Sequence, residues 1–336
     1  MNTARGLAAV LHEPHAVGES PLHIEEREVP EPGPGEVLLK VRACGVCRTD
    51  LHIVEGELTP HRPSIVPGHQ IVAEVAALGS GAFASVGARV GVSWLGGVDG
   101  TCPQCRAGRE NLCDAPIFTG YDRDGGYAAY ATARASFTVP LPTALDDEQA
   151  APLLCAGIIG FRALRVAGVE RGERVGLFGF GASAHLALPV LQAWGCRVYV
   201  STRGASHRAL ARELGAVWAG EAQEVPPVAL DRAVTFAPSG DVVIAALRSL
   251  RKGGVAAINA IHLDRIPSFD YDTLLWGERQ LRSVTNMTRA DARDFLELAA
   301  KIAIRPRVRP LPLREANTAL QLLKADRIDG AAVLVP

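Results

Sequence analysis

The sequence predicts an α/β protein of two domains, in which a β-rich, barrel-like domain is joined to a doubly wound parallel sheet. Three observations predict it. Up to about Cys155 the chain reads as short strands broken by Gly and Pro, at residues 37–41, 71–75, 89–92 and 137–139. From about Ala156 strands alternate with longer helices, as parallel pairing requires. A glycine-rich turn, Gly179-Phe180-Gly181, sits between a strand and a helix in that second block. At 336 residues the chain is long for one domain and natural for two. The expected boundaries give residues 1–155 and 286–336 to the first domain and 156–285 to the second.

Each element follows from local pattern. Val37-Leu38-Leu39-Lys40-Val41 is an apolar strand, and Cys47 falls in the loop that leaves it. Pro67-Gly68 is a turn pair, after which His69 precedes the strand Ile71-Val72-Ala73-Glu74-Val75. In the second block strands are expected at 174–178, 197–200, 233–236 and 255–259, with helices at 182–194, 207–214 and 241–250. Pro189 lies inside the first of these helices and removes one hydrogen bond, so a kink or a shifted register is expected there. Helices at 290–303 and 313–323 follow, and the closing run 330–335 reads as a strand that returns to the first domain.

Composition narrows the function classes. A hydrophobic content of 48% with 21% charged residues is ordinary for a soluble globular protein. The formal net charge of −1, without a basic stripe carrying interleaved aromatics, argues against a nucleic-acid partner. The apolar run before His12 and Glu13 is too short for a signal peptide, and no stretch is expected to span a membrane. Seven cysteines are an odd number that clusters with metal-ligand spacing, which suits a reducing cytoplasm better than a disulfide framework.

Cys47, His69 and Cys155 carry the chemistry. Two thiolates and an imidazole suit a tetrahedral zinc whose fourth position is open to water or substrate. Cys102, Cys105 and Cys113 form a second cluster, in a Gly-rich polar segment, with the spacing of a closed structural zinc site. Asp99 stands where a fourth ligand belongs, as a carboxylate in place of the commoner thiolate. The plain alternative is a disulfide pair with a spare thiol.

The second block offers a dinucleotide site. In Gly179-Phe180-Gly181-Ala182-Ser183-Ala184 the first glycine makes a tight turn and the second lets the backbone approach a pyrophosphate. Ala184 permits close packing of helix on strand, and the pyrophosphate would sit on the helix N-terminus. The next strand ends Val200-Ser201-Thr202-Arg203-Gly204, with His207 and Arg208 beyond and no carboxylate to take ribose hydroxyls. Hydroxyl and guanidinium groups suit a 2′-phosphate, so NADP is favoured over NAD.

Taken together, these stretches resemble the zinc-dependent medium-chain alcohol dehydrogenases over essentially the whole chain. The matching segments are Gly45 to His52, Pro67-Gly68-His69, Asp99 to Cys113, Cys155-Ala156-Gly157 and Gly179 to Ala184. Through Gly120 to Tyr127 the similarity is to bacterial enzymes that prefer primary alcohols. The resemblance implies a GroES-like β-barrel catalytic domain and a Rossmann domain, with hydride transfer between a small alcohol or aldehyde and NADP or NAD. It implies a homodimer or homotetramer. Asp50 would orient His69, while Thr49 would take the substrate proton and pass it through the nicotinamide ribose to His52. Arg48 would contact the pyrophosphate, and Phe236, Ala237, Ser239, Asn259, Ala260 and Ile261 would line the cofactor cleft.

Three departures from the family pattern stand out: Gln70 replaces the usual Glu after the histidine ligand, Asp99 replaces Cys, and Ile159 replaces a hydroxyl residue near the nicotinamide. A neutral amide at Gln70 can reach a metal but cannot neutralise its charge. Cys44 and Cys196 read as buried small hydrophobes, and Trp94 as either pocket wall or ordinary core. His12, His15, His23, His61, His185, His207 and His262 lack paired ligand spacing. Two other readings remain on this architecture, a zinc-free enoyl or quinone reductase and a non-catalytic dinucleotide-binding scaffold. The three zinc-ligand candidates count against the first, and the Thr49–His52 pair against the second.

Overall fold

The computed structural model describes residues 4–336, so residues 1–3 of the expected first domain lie outside the described residues. The chain divides into two compact units. The first takes in the described residues up to Cys155 with Thr288–Ala300 and Arg305–Pro336, and the second takes in Ala156–Met287 with Lys301–Ile304.

The first unit is built on a mixed seven-stranded sheet. Its order is Val308–Pro312, Ala331–Val335, Glu36–Gly45, Gln70–Leu78, Arg89–Val92 and Thr138–Pro140, with Tyr130–Arg134 also pairing on Glu36–Gly45. Along Glu36–Gly45 the residues Val37, Leu39 and Val41 are buried while their neighbours are more open, the period-2 alternation of a strand with one face on a core. Two antiparallel strands near the N-terminus, Arg5–Leu11 and Leu22–Glu28, have polar alternation too weak to be expected from sequence. The closing strand Ala331–Val335 sets Leu334 opposite Cys44 and Val333 opposite Gly45, and Val46 donates its N–H to the Ala332 carbonyl.

The second unit is a six-stranded parallel sheet. In space the strands run Trp218–Gly220, Arg197–Ser201, Arg174–Phe178, Leu230–Thr235, Leu250–Ile258 and Gln280–Ser283. The order turns back at Arg174–Phe178, where a doubly wound sheet opens its ligand crevice. Val175 to Phe178 are all buried, as expected of a strand covered on both faces. The helix Ala182–Ala193 runs through Pro189 without a break.

Two expectations need correction. The residues after Cys47 do not continue as loop: Arg48–Val54 is a helix, and Cys47 is its N-cap. The run Asp147–Ala167 is helical throughout its 21 residues and apolar enough to cross a membrane by length and composition. With 67% of its apolar window buried inside the fold, it has the character of a core helix. Pro152 and Gly157 hide it in the sequence, because both residues disfavour helix interiors.

Candidate active site

Cys47, His69 and Cys155 come together, with their donor atoms within 4.8 Å of one another. Each is positioned by a different local device. Cys47 caps the Arg48–Val54 helix, and the Asp50 carboxylate accepts its backbone N–H at 2.9 Å, closing a capping box. His69 follows Gly68, whose φ of +97° and tight surroundings admit no side chain: a Cβ there would stand 2.4 Å from the Tyr127 ring. Cys155 lies in a π turn, Leu153–Gly157, the kind of local widening that often marks functional positions in helices. The two sulfurs are 4.0 Å apart.

Asp50 organises the cluster. It is fully buried, and four donors reach it. Its Oδ1 accepts from Gly68 N–H at 3.2 Å and from His69 Nδ1 at 3.0 Å. Its Oδ2 accepts from Cys47 N–H and from the Tyr127 hydroxyl at 3.1 Å. With Nδ1 held by a carboxylate, the imidazole keeps Nε2 for a ligand.

The electrostatics suit a cation. Hydrogen bonding from the Cys155 thiol, helped by His69 and opposed by burial, holds Cys47 well below the usual thiol range. The same hydrogen bond, with burial, pushes Cys155 well above it. Burial alone would lower His69, but the charge and hydrogen bond of Asp50, joined by Cys47, raise it to about 10. The cluster thus holds protons that a bound divalent cation would displace, the coupling expected of a metal site. Soft sulfur and imidazole donors with no fourth protein ligand among the described residues fit zinc with an open position.

Around the cluster, Thr49 Oγ1 lies 3.8 Å from Cys47 Sγ. His52 follows three residues later on the same helix face, and its Nδ1 meets Glu57 Oε2 at 2.5 Å. Arg48 is exposed. Gln70 is buried with its amide packed on Gly45, where a Cβ would come within 2.5 Å of Gln70 Oε1. Trp94 sets its ring edge-on to His69 at 5.1 Å and stacks on Phe118 at 4.8 Å, so it belongs to an aromatic wall beside the cluster. Nothing in the local sequence pattern marks Tyr127, Glu57 or Phe118, and of the three only Tyr127 lies inside a stretch that carries the family resemblance.

Asp99, Cys102, Cys105 and Cys113 form the second cluster, again within 4.8 Å. All seven cysteines are free thiols, so the disulfide alternative does not hold. Backbone N–H groups point at the sulfurs, from Cys105 to Cys102 Sγ at 3.4 Å and from Ala115 to Cys113 Sγ at 3.4 Å. Asp99 Oδ1 accepts from Cys102 N–H and Thr101 N–H, which holds its carboxyl down at about 2 and leaves Oδ2 for a ligand. Glu110, inside this segment, takes the Arg289 guanidinium at 2.6 Å and its backbone N–H at 2.8 Å.

In the second unit the predicted nucleotide residues gather at the carboxyl ends of the parallel strands. Gly179 follows Phe178, which pairs with Thr235, which pairs in turn with Ile258. Phe236, Ala237 and Ser239 leave the second of these strand ends, and Asn259, Ala260 and Ile261 leave the third. Gly179 has φ +92°, and a Cβ would clash with Ala237 N at 2.8 Å. At Gly181, the N-cap of the Ala182–Ala193 helix, a Cβ would meet nothing within 4 Å, so the backbone side that a pyrophosphate must approach is open. Ala182 is exposed, and Ser183 is half-buried beside it.

The three residues at the end of the next strand are not equivalent. Thr202 is buried, and its hydroxyl turns back to the Arg203 carbonyl. Arg208 is tied to the Thr202 carbonyl and to Glu221 at 2.8 Å. Arg203 alone is exposed, and its guanidinium makes no hydrogen bond or ion pair among the described residues.

Comparison with known proteins follows the same lines. Residues 33–143 match the family model for the alcohol dehydrogenase GroES-like domain. A probable alcohol dehydrogenase of Mycobacterium tuberculosis is 48% identical over 99% of this chain and 98% of its own. A provisionally named zinc-binding dehydrogenase of Sinorhizobium meliloti, solved with NADP, superposes with a TM-score of 0.86 at 25% identity, covering 99% of this chain and 100% of its own. Acetophenone reductase of Geotrichum candidum, solved with NAD, gives the same TM-score and identity over 99% and 97%. With full-length identity of this order and two donor clusters of zinc-ligand type, the chain belongs to the zinc-dependent medium-chain alcohol dehydrogenases and is an alcohol dehydrogenase.

Proposed function

We propose that Cys47, His69 and Cys155 hold a catalytic zinc, that Asp99, Cys102, Cys105 and Cys113 hold a structural one, and that the enzyme prefers NADP. The observation that carries the catalytic assignment is the convergence of two thiols and an imidazole beside a saturated Asp50, which holds one ring nitrogen of His69 and leaves the other on the side of Cys47. When bound, zinc supplies a Lewis acid for the substrate oxygen and the nicotinamide supplies the hydride acceptor.

The chain's own residues do the rest. Thr49 Oγ1, beside Cys47, accepts the alcohol proton. His52, with 24% of its side chain open to solvent and Nδ1 held by Glu57, receives that proton for release to water. Trp94, stacked on Phe118, gives the substrate an apolar wall, which suits small primary alcohols and their aldehydes. The open backbone at Gly181 takes the pyrophosphate, joined by Arg48, and Arg203 takes the 2′-phosphate that separates NADP from NAD. This assignment of Arg203 is supported by its exposure and by the absence of an acidic residue at the end of its strand. The first unit would then be the catalytic domain and the second the dinucleotide-binding domain.

Cys47→Ser tests the reading. It should abolish alcohol oxidation and remove one zinc per chain while cofactor binding, read by nicotinamide fluorescence, persists. Near-wild-type turnover with no metal at this cluster would refute the zinc assignment.

A further inference from the structure

Tyr127 is fully buried, yet its hydroxyl is not a casual polar tip in the core. It donates to Asp50 Oδ2 at 3.1 Å, on the carboxylate whose other oxygen holds His69 Nδ1. The backbone is built to put it there. Gly125 N–H bonds the Val66 carbonyl, Gly126 N–H bonds Gly68, and Tyr127 N–H bonds Pro67, so its segment is laced along the residues that lead into His69. Gly68 then has no room for a side chain beneath the Tyr127 ring.

We infer that Tyr127 is a positioning residue for the metal centre, acting through Asp50 to fix the orientation and tautomer of His69. Asp50 is enclosed, so each of its lone pairs must be met inside the protein. Three of its donors, the N–H groups of Cys47 and Gly68 and the ring nitrogen of His69, come from ligands or their immediate neighbour. Tyr127 supplies the fourth from a segment 77 residues on in the chain, bound through its backbone to residues 66–68. Burial, with the Asp50 charge second, pushes its phenol well above the ordinary range, so it stays a donor. Without it Oδ2 keeps only the Cys47 N–H, and the carboxylate is held less firmly toward His69.

The inference rests on the zinc reading above, and the test separates the two. Tyr127→Phe removes one oxygen atom and keeps the ring that packs over Gly68. Zinc affinity would be read by competition with a chromophoric chelator in wild type, Tyr127→Phe, Asp50→Asn and the double variant. Loss of a group supporting a metal ligand typically costs 10–100-fold in metal affinity, so Tyr127→Phe should weaken one of two zincs about tenfold or more. In the Asp50→Asn background the same change should cost almost nothing further, because its effect runs through Asp50. Unchanged zinc affinity in Tyr127→Phe would overturn the inference, and so would an equal loss in both backgrounds, which marks a fold effect. If Tyr127→Phe folds poorly, the zinc-dependent rise in melting temperature gives the same comparison. Full zinc content in Cys47→Ser would instead sink the underlying zinc reading.

Discussion

Removing the Arg203 guanidinium should change cofactor choice more than cofactor binding. In Arg203→Ala the exposed cation at the end of the Arg197–Ser201 strand is lost, while the Gly179 and Gly181 turn is untouched. Charge-assisted hydrogen bonds contribute about 1.5–3 kcal/mol. Arg203 reaches its phosphate from solvent, so the lower end applies, and about 1.4 kcal/mol corresponds to a tenfold rise in KM for NADP. The Thr202 hydroxyl faces inward and does not compensate. Arg208 is occupied by Glu221, so Glu221→Gln should free a second guanidinium and lower the KM for NADP. Steady-state KM values for NADP and NAD in wild type and both variants are the assay. The NAD value should hardly move in Arg203→Ala, because NAD lacks the phosphate. Equal losses for both cofactors, or a wild type that prefers NAD, would refute the reasoning.

Two further changes test the metal sites. Asp99→Ala should leave one zinc per chain by elemental analysis in place of two. In the zinc-free protein the Asp99 carboxyl, held at about 2 against an ordinary 3.8, stabilises the fold above pH 3.8 and loses that contribution as pH falls toward 2. The gap in melting temperature between wild type and Asp99→Ala should therefore be constant down to about pH 4 and close below it. Gly68→Ala forces a methyl toward the Tyr127 ring at a left-handed φ, a strain of about 1–3 kcal/mol, and should lower zinc content along with the melting temperature. Full zinc occupancy in Gly68→Ala would show that His69 tolerates the shift.

How much of this was legible in the sequence depended on the kind of signal. The glycine turn at Gly179 was readable because its residues are consecutive and their backbone demands are strict. The cysteine clusters were readable because ligand chemistry restricts residue type. The role of Tyr127 was not, because a tyrosine after a polar, Gly-rich turn has the same pattern whether or not its hydroxyl finds a carboxylate 77 residues away. The turn around Cys155 was hidden by Pro152 and Gly157, residues that disfavour a helix interior and are nonetheless buried in one here. The difference between Arg203 and Arg208 was also invisible. Both are arginines near one strand end, and the Thr202 carbonyl and Glu221, which hold Arg208, separate them.

The position of the last strand sets an order for biosynthesis. Cys47 follows Val46, whose N–H is held by Ala332, and Cys44 pairs with Leu334. A nascent chain that has released its first 155 residues from the ribosome therefore lacks the strand that anchors the loop before Cys47. The entire parallel sheet is translated in between, and it can fold as a unit while the first unit waits with an open sheet edge. The segment around Cys47 is thus completed only once residues 331–335 have been made. The second unit's sheet is then made before the first unit's sheet has all of its strands.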